Sequence, residues 1–258
     1  MKELFRVVVV LMLILSLTGA VSSAPGSRSI TTLPMRFGAF NSNVGTISAI
    51  FIRWADAPPC FQGKTTFIWW ESHDVSLDSI INGSQDDVIK SFGSKLCPDT
   101  IIAPFHEMNL SESPWSGVAP GNSAVKLVAA WKHIHNIIGS KAKYAWVVNN
   151  ASIPDIEGNR PVDYWPGSDY VDIVGVDGFD WGGLSFCQSI SPNFRTIKAY
   201  RKPVWVTSFG TANSPAQARW IADAVETAKA VGIQALIYFS YNDHIDFTLT
   251  TEGQVALR

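Results

Sequence analysis

The sequence predicts a single (β/α)8 barrel of the α/β class, set behind a short leader. Three observations carry this. Eight β-rich runs recur along the 258 residues. Helical patterns lie between several of them, the alternation that builds a parallel sheet. No linker, repeat or low-complexity block divides the chain, so its length suits one large barrel better than two ordinary domains. A hydrophobic content of 47% against 16% charged residues supports a packed core and excludes a disordered chain. The formal net charge of −2, with no long charged run, argues against nucleic-acid or membrane-surface binding. A doubly wound open sheet is the alternative fold, but no Gly-x-Gly-x-x-Gly follows the first strand.

The first element is the leader, residues 1–24. Lys2 and Arg6 precede an apolar run from Val7 to Leu17, and small residues follow. This reads as a secretory signal peptide, with cleavage after Ala20 or Ala24, ahead of a domain at 25–258. Secretion to the extracellular space is the expected localisation, with no membrane attachment after cleavage. An oxidising compartment suits Cys60, Cys97 and Cys187, and the loop-like settings of Cys60 and Cys97 make them the preferred pair.

Strands are expected at Phe37 to Phe40, Ala49 to Trp54, Thr66 to Trp70, Thr100 to Phe105, Lys143 to Asn149, Val171 to Asp177, Pro203 to Ser208 and Ile233 to Tyr241. The sixth and seventh are near-continuous apolar runs, as a sheet covered on both faces requires. Helices are expected at Gln85 to Leu96, Ser123 to Ile138 and Pro215 to Val231. Ser214 would cap the last, Pro215 would open it, and Gly232 would close it.

In a barrel of this kind, chemistry belongs at the C-terminal ends of the strands. There the third strand runs into Trp70 and Glu71, the fourth into His106, Glu107 and Asn109, and the sixth into Asp177, Phe179, Asp180 and Trp181. Carboxylates beside indoles suit a carbohydrate cleft, because carboxyls move protons at a glycosidic oxygen while rings stack on sugar faces. Other templates fail. Leu110 stands where a zincin motif after His106-Glu107 needs its second His, and Val206 replaces the first glycine of a nucleophile elbow at Ser208. No metal or cofactor is expected.

His106-Glu107-Met108-Asn109 followed by Pro114-Trp115 resembles the acid/base motif of glycoside hydrolase family 26, the β-mannanases and related β-glycanases. Tyr164 to Asp172, continuing through Val174 to Gly178, is similar to a further stretch of that family, as are Lys202-Pro203-Val204 with Phe209-Gly210 and the segment Phe239 to Asp246. The resemblance implies a retaining barrel enzyme with two glutamates, Glu107 being the general acid/base. It also implies a departure, because Ser208 stands at the nucleophile position. Phe179 replaces a tyrosine that would hydrogen-bond the nucleophile, Glu112 and Ser113 replace bulky aromatics, and Asp246-Phe247-Thr248 replaces Asp-Trp-Arg.

A serine hydroxyl is a poor nucleophile toward an acetal and offers no charge to an oxocarbenium-like transition state. Two functions therefore stay open. One is hydrolysis of a β-linked, mannan-type polysaccharide with another carboxylate, such as Asp177, Glu71 or Asp180, replacing the nucleophile. The other is a non-catalytic homologue that binds polysaccharide in the retained cleft. In either case the partner is a poly- or oligosaccharide and the chain acts as a monomer. Candidate contacts besides Glu107 and Ser208 are His106, Asn109, Trp115, Trp70, Glu71, Asp177, Phe179, Trp181 and Phe247.

Overall fold

The computed structural model describes residues 34–258, so the leader expected at residues 1–24 lies outside the described residues. Eight parallel strands close into a barrel in sequence order. They are β1 (Arg36–Phe40), β2 (Ile47–Arg53), β3 (Thr65–Glu71), β4 (Thr100–Pro104), β5 (Lys143–Asn149), β6 (Ile173–Asp180), β7 (Val204–Thr211) and β8 (Ala235–Phe239). Helices α1 (Leu77–Ile81) and α2 (Asp86–Ser94) follow β3, and α3 (Ala124–Ile138) follows β4. Helices α4 (Phe186–Ile190) and α5 (Asn193–Lys198) follow β6, α6 (Gln217–Val231) follows β7, and α7 (Thr251–Ala256) follows β8. No helix among the described residues is long and apolar enough to cross a membrane.

The period of two along each strand divides the core into two sets. Ile47, Ala49, Phe67, Trp69, Ile101, Ala103, Ala145, Val147, Ile173, Trp205, Ala235 and Ile237 fill the barrel interior. Their neighbours, among them Ile68, Trp70, Ile102, Trp146, Val174, Val206 and Leu236, face outward under the helices. Both faces are buried, which is why the strands read as apolar runs rather than alternating ones. Helix α3 covers its share with Leu127, Ala130, Trp131, Ile134 and Ile138, spaced at three and four. The Ser123 hydroxyl caps it by accepting from the Lys126 N–H, and Gly139, at φ 61°, ends it.

Two features of the wall position the site. Gly175 leaves room inside the barrel, since a Cβ there would lie 2.8 Å from Val147 and 3.0 Å from Thr207. Beside it, Val206 pairs with Val176 but Ser208 pairs with Asp177, so Thr207 is the extra residue of a β-bulge. The bulge turns Ser208 onto the inward face that it shares with Asp177.

The helix expected from Pro215 begins instead at Gln217. Ser214 Oγ accepts only from the Ala216 N–H, at 3.3 Å, in a turn ahead of the helix. Cys60 and Cys97 form a disulfide, tying the loop before β3 to the loop before β4, and Cys187 is free and exposed.

Candidate active site

The loop after β4 leaves the barrel through an unusual backbone. Phe105 and Glu107 take left-handed φ values of 55° and 52° on either side of His106. Non-glycine residues avoid this region at a cost of about 1–3 kcal/mol each, and such strain gathers at functional sites. Here it is held by the Glu107 N–H donating to Val147 O (3.0 Å) and by the Leu110 N–H and Ser113 Oγ donating to Glu107 O (3.0 and 3.2 Å). The turn lifts the Glu107 side chain over the mouth, where it remains partly exposed.

Glu107 Oε1 accepts a 2.8 Å hydrogen bond from Asn149 Nδ2 at the end of β5. Asn149 is itself fixed: its Oδ1 accepts from the Ala151 N–H (3.1 Å), and its backbone N–H donates to Asn109 Oδ1 (2.8 Å). Next around the wall is Asp177, in register with Asn149 and with Ser208. The Thr207 hydroxyl donates to Asp177, as does the Ser208 backbone N–H. Burial pushes the Glu107 carboxyl above the usual range, against the Asn149 hydrogen bond, and Glu112 adds to the rise. Burial pushes Asp177 higher still, with the Glu107 charge as a further cause. Two carboxyls thus share one wall, burial raises both above their usual range, and the Glu107 charge raises Asp177 further.

Rings floor the mouth. Phe51 stacks on Trp69 (4.2 Å between centroids), Phe40 on Phe239 (5.4 Å), and Phe179 meets Phe239 edge-on (5.5 Å). Phe179 also meets Trp181 (5.5 Å), and the buried Phe247 packs beneath both, 5.5 Å from Trp181. The centroids of the Phe179 and Phe247 rings themselves lie 5.3 Å apart. Trp181 is 56% exposed and Tyr241 47%, so two rings stand free above the floor.

The expected site residues divide between the mouth and the scaffold. Glu107, Glu71, Asp177, Phe179, Ser208 and Trp181 lie at the C-terminal ends of strands around one opening. Five others act behind it. Trp70 faces outward, fully buried between Trp54 and Phe92 at 4.2 and 3.9 Å, and has no path to a ligand. Asn109 is 0% exposed, its amide donating to Asn149 O and Ala151 O, so it braces the loop. Trp115 is 3% exposed and donates to His106 O, while Phe247 is 1% exposed and backs Trp181. His106 is 8% exposed, its Nδ1 has no hydrogen-bond partner, and burial lowers its pKa to about 3, so it stays neutral.

Of the carboxylates considered as substitutes for a nucleophile, Asp180 is fully engaged. It accepts from the Gly182 and Leu184 N–H groups (3.0 and 2.7 Å) and from Thr211 Oγ1 (2.9 Å). Glu71 lies 3.3 Å from His73. Asp177 lies beside Ser208 but is 1% exposed and held toward its neutral form. Sequence reasoning missed Asn149, Thr207 and the rings of Phe40, Phe51 and Phe239. Strand parity carried a signal for Phe40, Asn149 and Phe239, which end β1, β5 and β8, whereas the role of Thr207 depends on the bulge between β6 and β7. No group of three His, Cys, Asp or Glu side chains among the described residues is placed to hold a metal.

No protein-family model matches the chain. Over 217 residues it is 25% identical to Endoglucanase H of Acetivibrio thermocellus, an alignment covering 75% of this chain and 23% of that protein. Over 151 residues it is 24% identical to mannan endo-1,4-beta-mannosidase A and B of Caldalkalibacillus mannanilyticus, covering 55% of this chain and 28% of that protein. The chain thus spans only 23% and 28% of the length of these curated relatives. Among solved structures it resembles a glycoside hydrolase family 26 β-mannanase from Bacteroides ovatus, with TM-score 0.63 and 12% identity over 86% of both chains. It also resembles a family 128 endo-β-1,3-glucanase from Amycolatopsis mediterranei, with TM-score 0.59 and 12% identity over 86% of this chain and 98% of that one. These likenesses establish the fold: a single (β/α)8 barrel of the kind found in the family 26 β-mannanases, with mannanase and endoglucanase relatives at low identity.

Proposed function

We propose that the chain is an exported protein of glycoside hydrolase type that engages a β-linked, mannan-type polysaccharide in the cleft around Glu107. One observation carries the reading: a carboxyl held on a strained turn, hydrogen-bonded by Asn149 and biased toward its protonated form, at the ring-floored mouth of the barrel. Glu107 would deliver its proton to the leaving glycosidic oxygen as the C–O bond breaks. Positive charge then develops at the anomeric carbon, where position 208 offers a hydroxyl rather than a carboxylate, and water must add there, giving its proton to the Glu107 carboxylate, to complete hydrolysis. Export is supported by the leader pattern and by the Cys60–Cys97 disulfide, a bond of oxidising compartments. N-terminal sequencing of secreted protein tests it, with a start at Val21 or Pro25 expected.

A second reading, binding without turnover, is favoured by a specific observation. Asp180 is committed to its loop, Glu71 is paired with His73, and Asp177 is buried and neutral-leaning. None of these stands free to replace a nucleophile. Reducing-sugar release from mannan, glucomannan, xylan and β-glucan, measured beside binding to the same polymers, separates the readings. Turnover lost in Glu107→Gln supports hydrolysis; binding without turnover supports the second. Neither binding nor turnover on any of the four contradicts both.

A further inference from the structure

Of the ten Trp in the chain, Trp181 alone is exposed. It stands on the loop after β6 and borders a concavity of about 580 Å³ lined also by Leu184, Ser185, Ser214, Trp220 and Ile245. That volume lies within the range of roughly 300–1,000 Å³ typical of small-ligand sites. The walls are fixed. Asp180 pins the loop through Gly182 and Leu184, Trp220 Nε1 donates to Leu184 O (2.8 Å), and Phe247 and Phe179 support the Trp181 ring from behind. Gly182 and Gly183 take φ values of 147° and 90°, and a Cβ at either would meet nothing within 4 Å, so the bend leaves the rim open.

A large ring that is exposed, rigidly backed and set beside a concavity is shaped to stack on a flat, partly apolar ligand. The Phe179 ring lies 5.5 Å from both Trp181 and Phe239, so ring contacts lead from Trp181 back to the mouth. We infer that Trp181 and the adjoining concavity form an outlying subsite for one or two neutral hexose units of the same glycan chain that crosses Glu107. The inference rests on the carbohydrate reading above and adds where the chain runs: from the β4 side of the mouth toward the loops after β6 and β7. Its fixed walls make it a preformed site, so binding there costs little ordering.

The test is calorimetric titration of the whole protein with β-1,4-manno-oligosaccharides and cello-oligosaccharides from two to six units. Trp181→Ala should weaken binding of the hexasaccharide about tenfold, the loss of one stacking contact, and leave the disaccharide unchanged. Trp181→Phe should recover part of the loss, which a folding defect would not allow. Quenching or a blue shift of tryptophan fluorescence should accompany hexasaccharide binding in the wild type and vanish in Trp181→Ala. A hexasaccharide bound equally by wild type and Trp181→Ala overturns the subsite and leaves the cleft reading intact. Wild type that binds neither series at any length overturns both.

Discussion

His106 offers a prediction whose size follows from its surroundings. The ring is 8% exposed, sits against Phe51 and Trp115 at 5.5 and 5.3 Å, and has a pKa of about 3 against an ordinary 6.5. Burial is the main cause, with the charge of His73 second. In the unfolded chain this imidazole takes a proton near pH 6.5, whereas in the folded barrel it does not. Its contribution to stability is therefore complete above pH 6.5 and lost as pH falls toward 3. At about 1.4 kcal/mol per pH unit, His106 alone should remove about 2.7 kcal/mol between pH 6.5 and 4.5, and about 5 kcal/mol over the whole window. His106→Phe keeps a ring in the same packing and removes the titration together with the unpartnered Nδ1. Urea unfolding of both proteins at pH 7.5 and 4.5 measures the difference. The variant should gain about 2.7 kcal/mol on wild type on going to the lower pH. Parallel stability curves would show that His106 accepts a proton while folded, and the closed packing of the loop around Glu107 would be refuted.

Asp177 carries the opposite sign. Its carboxyl is raised, so its contribution is complete below the unfolded value near 3.8 and falls as pH rises. Asp177→Asn should therefore gain melting temperature over wild type at pH 8 but not at pH 4. Asn149→Ala removes the donor that favours ionised Glu107, so the Glu107 carboxyl should titrate higher still, as read by ¹³C NMR with Glu107→Gln for assignment. It should also cost about 1–3 kcal/mol, because the Ala151 N–H loses its acceptor. Trp70→Ala should cost about 3–5 kcal/mol by emptying the stack between Trp54 and Phe92, while glycan affinity per folded molecule stays as it was.

The barrel was legible because its strands are buried on both faces, so apolar runs mark them without ambiguity. Their ends were less so. The apolar runs of the sixth and seventh strands give way to polar residues at Asp177 and Ser208, but β6 and β7 continue to Asp180 and Thr211. At a barrel mouth the inward positions are polar because they face the site, so loss of hydrophobicity there marks chemistry rather than the end of pairing. Residue type alone suggests a cleft position for Trp70. Strand parity argues otherwise: Trp69 and Glu71 share one face, and Trp70 must take the other. The bulge at Thr207 and the Asn109–Asn149 bracing depend on register between strands distant in sequence, which one chain's pattern does not carry.

In the proposed function Glu107 is the acid of a glycan cleft, and Ser208 stands where the family resemblance puts a nucleophilic carboxylate. Ser208→Glu tests it most directly. The bulge already turns position 208 into the mouth beside Asp177, and a carboxylate about 5–5.5 Å from the acid suffices for double displacement. The assay follows reducing-sugar release from β-mannan, with anomeric configuration read by ¹H NMR. Ser208→Glu should raise turnover well above wild type with retention of configuration, and Glu107→Gln in that background should abolish it. A wild type that turns over polymer at about 10 per second, an ordinary enzyme rate, and that Ser208→Glu impairs would contradict these roles for Glu107 and Ser208.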